Sequence, residues 1–153
     1  MLDFDITPYV TPEEADTYIA TILDTDAWDD ATEDQQLKAL KQASRLIDSL
    51  NYIDDKASPT QEHAFPRTGR TGVPQEIQLA CIELALDILD DVDGERDYDD
   101  QLIVSEGYAS VRATYNRERV SLHKILGVSS RTAFKYLLPW LDLSFREITL
   151  QRA

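Results

Sequence analysis

The side chains of this sequence that could do chemistry are two histidines, one cysteine and a surplus of carboxylates. Imidazole and thiolate ligate zinc only when they converge at short, recognisable spacings. His63 stands in a stretch rich in Gly and Pro, His123 in a basic segment, and Cys81 among aliphatic residues. No spacing joins them, so no metal site is expected, and Cys81 reads as a small buried hydrophobe. Carboxylates crowd Asp90–Asp100, DDVDGERDYDD, which invites a calcium loop. Placing Gly94 at the sixth position of an EF-hand puts Leu89 at the first, where no ligand atom exists. The pattern fails, and the stretch reads as a solvated acidic linker. There is also no Gly-rich phosphate loop, Walker pattern or serine-nucleophile motif. The expectation is a protein without catalytic residues, cofactor or metal.

Two further sets of residues could recognise a partner. Tyr108, Arg112, Tyr115, Arg117 and Arg119 interleave aromatic rings with cations, as single-strand binders do; the same set could equally form a protein interface. Arg67, in the run Phe65-Pro66-Arg67, can grip a carboxylate with two prongs. Its expected role is an ion pair, within or between subunits, to an acidic residue such as Asp87.

The charge that surrounds these residues is uneven. The net value is −14 over 153 residues. Residues 1–100 hold 25 acidic and 7 basic side chains, a balance of −18, and residues 101–153 hold 4 and 8, a balance of +4. Such asymmetry suggests a two-ended molecule, one face repelling nucleic acid and the other able to meet an acidic partner; the other reading is a charge that serves solubility alone. The length and the 42% apolar content suit one ordinary domain. No uncharged apolar run is long enough to span a membrane. The start, MLDFDITPYV, has neither a basic region nor an apolar signal core, so export is not expected, and a lone cysteine fits a reducing compartment.

The elements that must hold these residues are mainly helical. Thr11-Pro-Glu-Glu predicts a capped helix start with Glu14 closing a capping box. That helix should run to about Leu23 with Ala15, Tyr18, Ile19 and Ile22 inward. Trp28, in the acidic turn Asp24–Asp30, should lid the edge of the core. Thr32 repeats the start signal for a helix to about Leu50, with Leu37, Leu40, Ala43, Leu46, Ile47 and Leu50 on one face. Asn51–Val73 is a connection of about 23 residues, long enough to suggest a function or ordering by neighbours. Pro74 to about Val92 then reads as the central helix, apolar over most of its circumference and so packed on several sides. Leu102–Tyr115 alternates like a β-hairpin. Val120–Leu126 reads as a short helix ended by Gly127, and Ser129 or Ser130 caps another over Arg131–Leu138, with Phe134, Leu137 and Leu138 inward. Trp140 and Leu141 close the core. Asp142–Ala153 alternates like a strand that needs a partner. The expected fold is therefore mainly α: a small three- to four-helix bundle over residues 1–141, a β-hairpin insertion at about 102–115, and an extended C-terminal tail over 142–153.

The run Gln61–Gly69, QEHAFPRTG, with VPQEI and an apolar helix after it, resembles the head-completion, or head-to-tail adaptor, proteins of tailed bacteriophages. The same family is also described as single-stranded-DNA-binding proteins akin to a primosomal factor. YVTPEEADTYIA, the Trp after it, the helix with A-S-R-L-I-D and the late Leu-Leu-Pro-Trp-Leu extend the likeness over roughly residues 8–141. Phe65, Pro66, Arg67, Val73 and Pro74 carry its central motif. The resemblance implies a virion protein of the neck, made in the host cytoplasm. It would form a ring of about twelve subunits beneath the portal protein, extend the DNA channel and dock neck or tail proteins. In that picture DNA passes the lumen without specific binding, which an acidic wall allows. Arg67, Tyr108, Arg112 and Tyr115 would face neighbouring subunits, and the tail residues Phe145, Arg146, Ile148, Leu150 and Arg152 would dock on the portal. Two other readings remain at this point: a single-stranded-DNA-binding replication accessory protein, and a soluble protein-interaction module.

Overall fold

The computed structural model describes residues 5–90 and 121–144, together with the backbone of 105–108 and 111–114. Among the described residues are six α-helices: α1 (Pro12–Ile19), α2 (Asp26–Asp29), α3 (Glu33–Asp48), α4 (Gln75–Leu89), α5 (Leu122–Ile125) and α6 (Arg131–Leu137). A 3-10 turn, Leu138–Trp140, follows α6. The protein is mainly helical, as its apolar periodicity predicts.

Both Thr-initiated helices start where their capping boxes put them. The Thr11 hydroxyl accepts from Glu14 N, and Glu14 Oε2 accepts from Thr11 N at 2.9 Å. Thr32 and Gln35 make the same reciprocal pair at the head of α3. α1 is shorter than its apolar spacing predicts. It ends at Ile19, the chain turns back through Thr21 and Ile22, and Asp24 takes a positive φ. Leu23 is left almost fully exposed. Trp28 corrects a second expectation: it is not a lid but a core residue, only 1% exposed, on the short helix α2. Its indole N–H donates to Asp16 Oδ1 at 2.8 Å, which satisfies the one polar atom that burial would otherwise orphan.

α4 is the central helix. It lies against α3 along one side, α6 along another and α2 near its end. Ile77, Ala80, Cys81, Ile82, Leu84 and Ala85 are buried, and no residue from Ile77 to Leu89 is fully exposed. Pro74 acts as the N-cap, one position outside its predicted place, and the helix stops at Leu89 instead of about Val92. α1 is tied on by Tyr18, whose hydroxyl donates to Glu83 at 2.6 Å. The inward face of α3 holds Ala39, Leu40, Ala43, Ser44 and Ile47, whereas Leu37, Leu46 and Leu50 are only partly buried. Ser44 survives at 0% exposure because its hydroxyl donates to Leu40 O at 2.8 Å and accepts from Tyr9 N at 3.0 Å.

Outside the helical body, β1 (Ser105–Tyr108) and β2 (Val111–Thr114) pair antiparallel, Ser105 opposite Thr114 and Tyr108 opposite Val111. The helical body contains no strand, and the expectation of a β-hairpin insertion has no support from it. The acidic linker beyond Asp90, Tyr115 with Arg117 and Arg119, and the tail from Phe145 onward lie outside the described residues.

Candidate nucleic-acid interface

The long connection between α3 and α4 is irregular, yet it is fastened at each end. At its start, Asp48 on the last turn of α3 accepts from the Tyr9 hydroxyl through Oδ1 at 2.5 Å. The same oxygen takes the Ala64 N–H at 2.8 Å, and Oδ2 meets His63 Nδ1 at 2.7 Å. The His63 ring lies 4.5 Å from that of Tyr9. Burial first, and then the bond to Asp48, raise the Tyr9 phenol well above the ordinary tyrosine range, so it remains a donor. The His63 Nε2 is buried with no hydrogen-bond partner among the described residues, and Glu62 Oε2 stands 3.9 Å away. His63 is thus part of a structural clamp, which its Gly/Pro-rich sequence context did not suggest.

Arg67 departs from its predicted ion pair. It is 8% exposed, and its three guanidinium nitrogens donate to the main-chain carbonyls of Ile53, Ala64 and Tyr52 at 3.1–3.2 Å. Asp87 accepts from Ser129 instead. The physical reason is that the connection folds back on itself, leaving carbonyls that no helix or sheet satisfies; a five-donor fork fills that need. The guanidinium also packs 5.4 Å from the Tyr52 ring centroid and 5.7 Å from that of Phe65.

An aromatic path leads outward from this knot. Phe65, 2% exposed, meets Tyr52 edge-on at 4.7 Å and Trp140 edge-on at 5.6 Å. Trp140 is half-buried, and Arg70 lies over its ring at 4.7 Å. The two ends of this path are brought together by main-chain bonds from Ile53 N to Trp140 O and from Asp142 N to Asn51 O. An open cleft of about 430 Å³ is lined by Gly69, Arg70, Thr71, Gly72, Glu76 and Trp140, among others.

A second surface is formed by α5 and α6. α5 ends in a Schellman turn: Val128 N donates to His123 O, Gly127 N to Lys124 O, and Gly127 takes a φ of +74° that glycine adopts without strain. Ser130 caps α6, accepting from Ala133 N at 3.1 Å. This places His123 5.8 Å from Phe134. Burial first, then Lys124 and Arg131, hold the His123 imidazole below its ordinary pKa, which puts both cations in its neighbourhood. Arg131 and Lys135, one turn apart, are exposed, and no carboxylate occurs between Ser121 and Leu141. Leu138 corrects the expected inward face: it is 42% exposed, while Ala133 and Leu137 are buried.

The arrangement of basic side chains beside aromatic rings raises the question of family. The family model described as "Putative DnaT-like ssDNA binding protein" matches residues 4–145. This chain belongs to that family. Of the two descriptions that the sequence motif resembles, the DnaT-like one is matched, and nothing matched carries the head-completion description. No curated protein and no solved structure matches the chain.

In this DnaT-like chain the motif residues Phe65, Pro66, Arg67, Val73 and Pro74 frame the connection: Phe65 and Arg67 are interior, and Val73 and Pro74 line the cleft before α4. Tyr108 and Arg112 lie on the β1–β2 backbone, whereas Tyr115 and the tail set Phe145, Arg146, Ile148, Leu150 and Arg152 fall outside the described residues. The sequence reading overlooked Tyr9, Asp48 and Arg70. Its one usable signal was the length of the connection, which needs neighbours to order it. Cys81 is fully buried, its thiol pushed up to about 11 by burial, in keeping with a packing role. Among the described residues no three His, Cys, Asp or Glu groups could hold a metal ion, and no helix is long and apolar enough to cross a membrane.

Proposed function

We propose that this protein binds single-stranded DNA without strong sequence preference, as an accessory in replication. Its membership of the DnaT-like family carries the reading. The α5–α6 surface supplies the chemistry. Arg131 and Lys135, exposed on α6, offer cations to the phosphodiester backbone, and the stretch Ser121–Leu141 carries no carboxylate of its own, although Asp87 of α4 is bound to Ser129 within it. The acidic body limits the strength of binding. An affinity of about 1–100 µM at physiological salt is expected, as for other backbone-driven contacts. Titration of a labelled oligothymidylate at two salt concentrations tests this. Affinity should fall with salt, and the slope should shrink by roughly 0.7 for each of Arg131 and Lys135 changed to Ala. Absence of binding at low salt would refute the proposal.

A second reading is favoured by one observation, the −18 balance over residues 1–100, with Glu13, Glu14, Glu33 and Asp34 exposed on α1 and α3. Such an acidic surplus suits a channel wall along which DNA slides. In this reading the protein is a head-to-tail adaptor: a ring of about twelve subunits beneath a portal, placed in the virion neck and offering a surface to later neck or tail proteins. Arg67 is turned inward, so Tyr108, Arg112 and Tyr115 would meet neighbours. Phe145, Arg146, Ile148, Leu150 and Arg152 would reach the portal. Native mass, alone and with the portal, separates the readings. A ring or stoichiometric portal binding favours the adaptor; a monomer that ignores the portal and binds single strands favours the first.

A further inference from the structure

We infer that the cleft between Arg70, Glu76 and Trp140 is a subsite for one unpaired nucleobase. The inference rests on the single-strand reading above and adds where a base is held and by what. The cleft is poorly made for a phosphate. Its single cation, Arg70, lies over the Trp140 ring, and a carboxylate, Glu76, stands among the lining residues. A neutral planar group that carries N–H donors suits it better. Arg70 is exposed, with its guanidinium carbon 4.7 Å from the Trp140 ring centroid and Phe65 edge-on to that ring, and bases stack on guanidinium planes as they do on aromatic rings. Glu76 accepts N–H groups of the kind that every base exposes on its Watson–Crick edge when unpaired. Duplex DNA hides those groups, so the subsite selects single strands.

The space is open, and the Trp140 ring is supported from the core side. A Cβ built at Gly69 or Gly72 would meet nothing within 4 Å among the described residues, so the space beside these two positions is open. Trp140 is backed by the buried Phe65 ring, which packs against the Arg67 guanidinium. A ring held against buried neighbours loses little freedom when a base arrives.

The test separates stacking from simple charge. Anisotropy of a labelled 20-nucleotide oligothymidylate is measured over a salt series with the parent, Arg70→Ala, Arg70→Lys and Glu76→Gln. Circular dichroism checks that each variant is folded. Arg70→Ala should weaken binding roughly 5- to 100-fold. Arg70→Lys keeps the charge but loses the plane, so it should weaken binding comparably with the salt slope unchanged. Trp140 emission should be quenched by the oligonucleotide in the parent and not in Arg70→Ala. Parent-like affinity of Arg70→Lys, with a slope lowered only in Arg70→Ala, would make Arg70 a phosphate contact and overturn the base subsite. Parent-like binding by all variants would also overturn it while leaving the single-strand reading intact. No binding by the parent would overturn both.

Discussion

Tyr9 and Asp48, 39 residues apart, share a hydrogen bond of 2.5 Å that pins the start of the chain to the last turn of α3. The same carboxylate holds His63 and the Ala64 amide, so one side chain joins three segments that local sequence does not connect. A hydrogen bond to a charged partner contributes about 1.5–3 kcal/mol, and each donor left buried without one costs a similar amount. Asp48→Ala should therefore destabilise by about 2–4 kcal/mol and Tyr9→Phe by about 1–2 kcal/mol. Urea unfolding followed by circular dichroism measures both. A double-mutant cycle should show coupling, since both changes remove the same bond.

Arg67 closes three main-chain carbonyls at once. Arg67→Ala should cost about 3–4 kcal/mol, because acceptors are left buried and the packing on Tyr52 and Phe65 is lost. Arg67→Lys should recover less than half of this, since a compact ammonium cannot span three carbonyls. Because the loss is intramolecular, protein concentration should not change the result, whereas an inter-subunit ion pair would make it do so.

Asp87 is a pH handle on the central helix. Burial raises its carboxyl pKa, assisted by Glu83 and Asp90 and opposed by hydrogen bonds from Ser129 and Ser130. A carboxyl whose folded pKa lies above its unfolded one binds more protons in the folded state. Stability then falls as pH rises from the unfolded value through the folded one, and stays lower above it. Asp87→Asn should melt at a higher temperature than the parent at pH 7. The difference should vanish as pH falls to the ordinary carboxylate range, which a pH series of melting curves would reveal.

In the proposed single-strand reading, His123 couples strand binding to protons. Its pKa is lowered from 6.5 by burial and by Lys124 and Arg131. A phosphate beside those cations screens their field and favours the imidazolium, so binding takes up a proton. Affinity for oligothymidylate should rise as pH is lowered from 7.5 to 6, and His123→Gln should flatten the change. An equal pH response in the variant would place the phosphates elsewhere.

Helix starts were legible in the chain because they are local: Thr11 with Glu14, Thr32 with Gln35, and Ser130 close bonds over three residues. The central helix was legible for a similar reason, since an apolar surface nearly all round can only be packed on several sides. Side-chain partners across long separations were not. Trp28 reads as a lid until Asp16, on another helix, is seen to satisfy its N–H. Arg67 reads as half of an ion pair until the connection folds and leaves its own carbonyls as the nearer acceptors. Arg70 is one of several loop arginines until residues 51–53 draw Trp140 beneath it. By itself the sequence determined the helical class, the starts of the three side-chain-capped helices and the identity of the central helix, all of which follow from caps and periodicity. Which cations face outward and which rings they rest on was decided only by the tertiary structure, because it depends on groups far apart in the chain meeting around unsatisfied backbone.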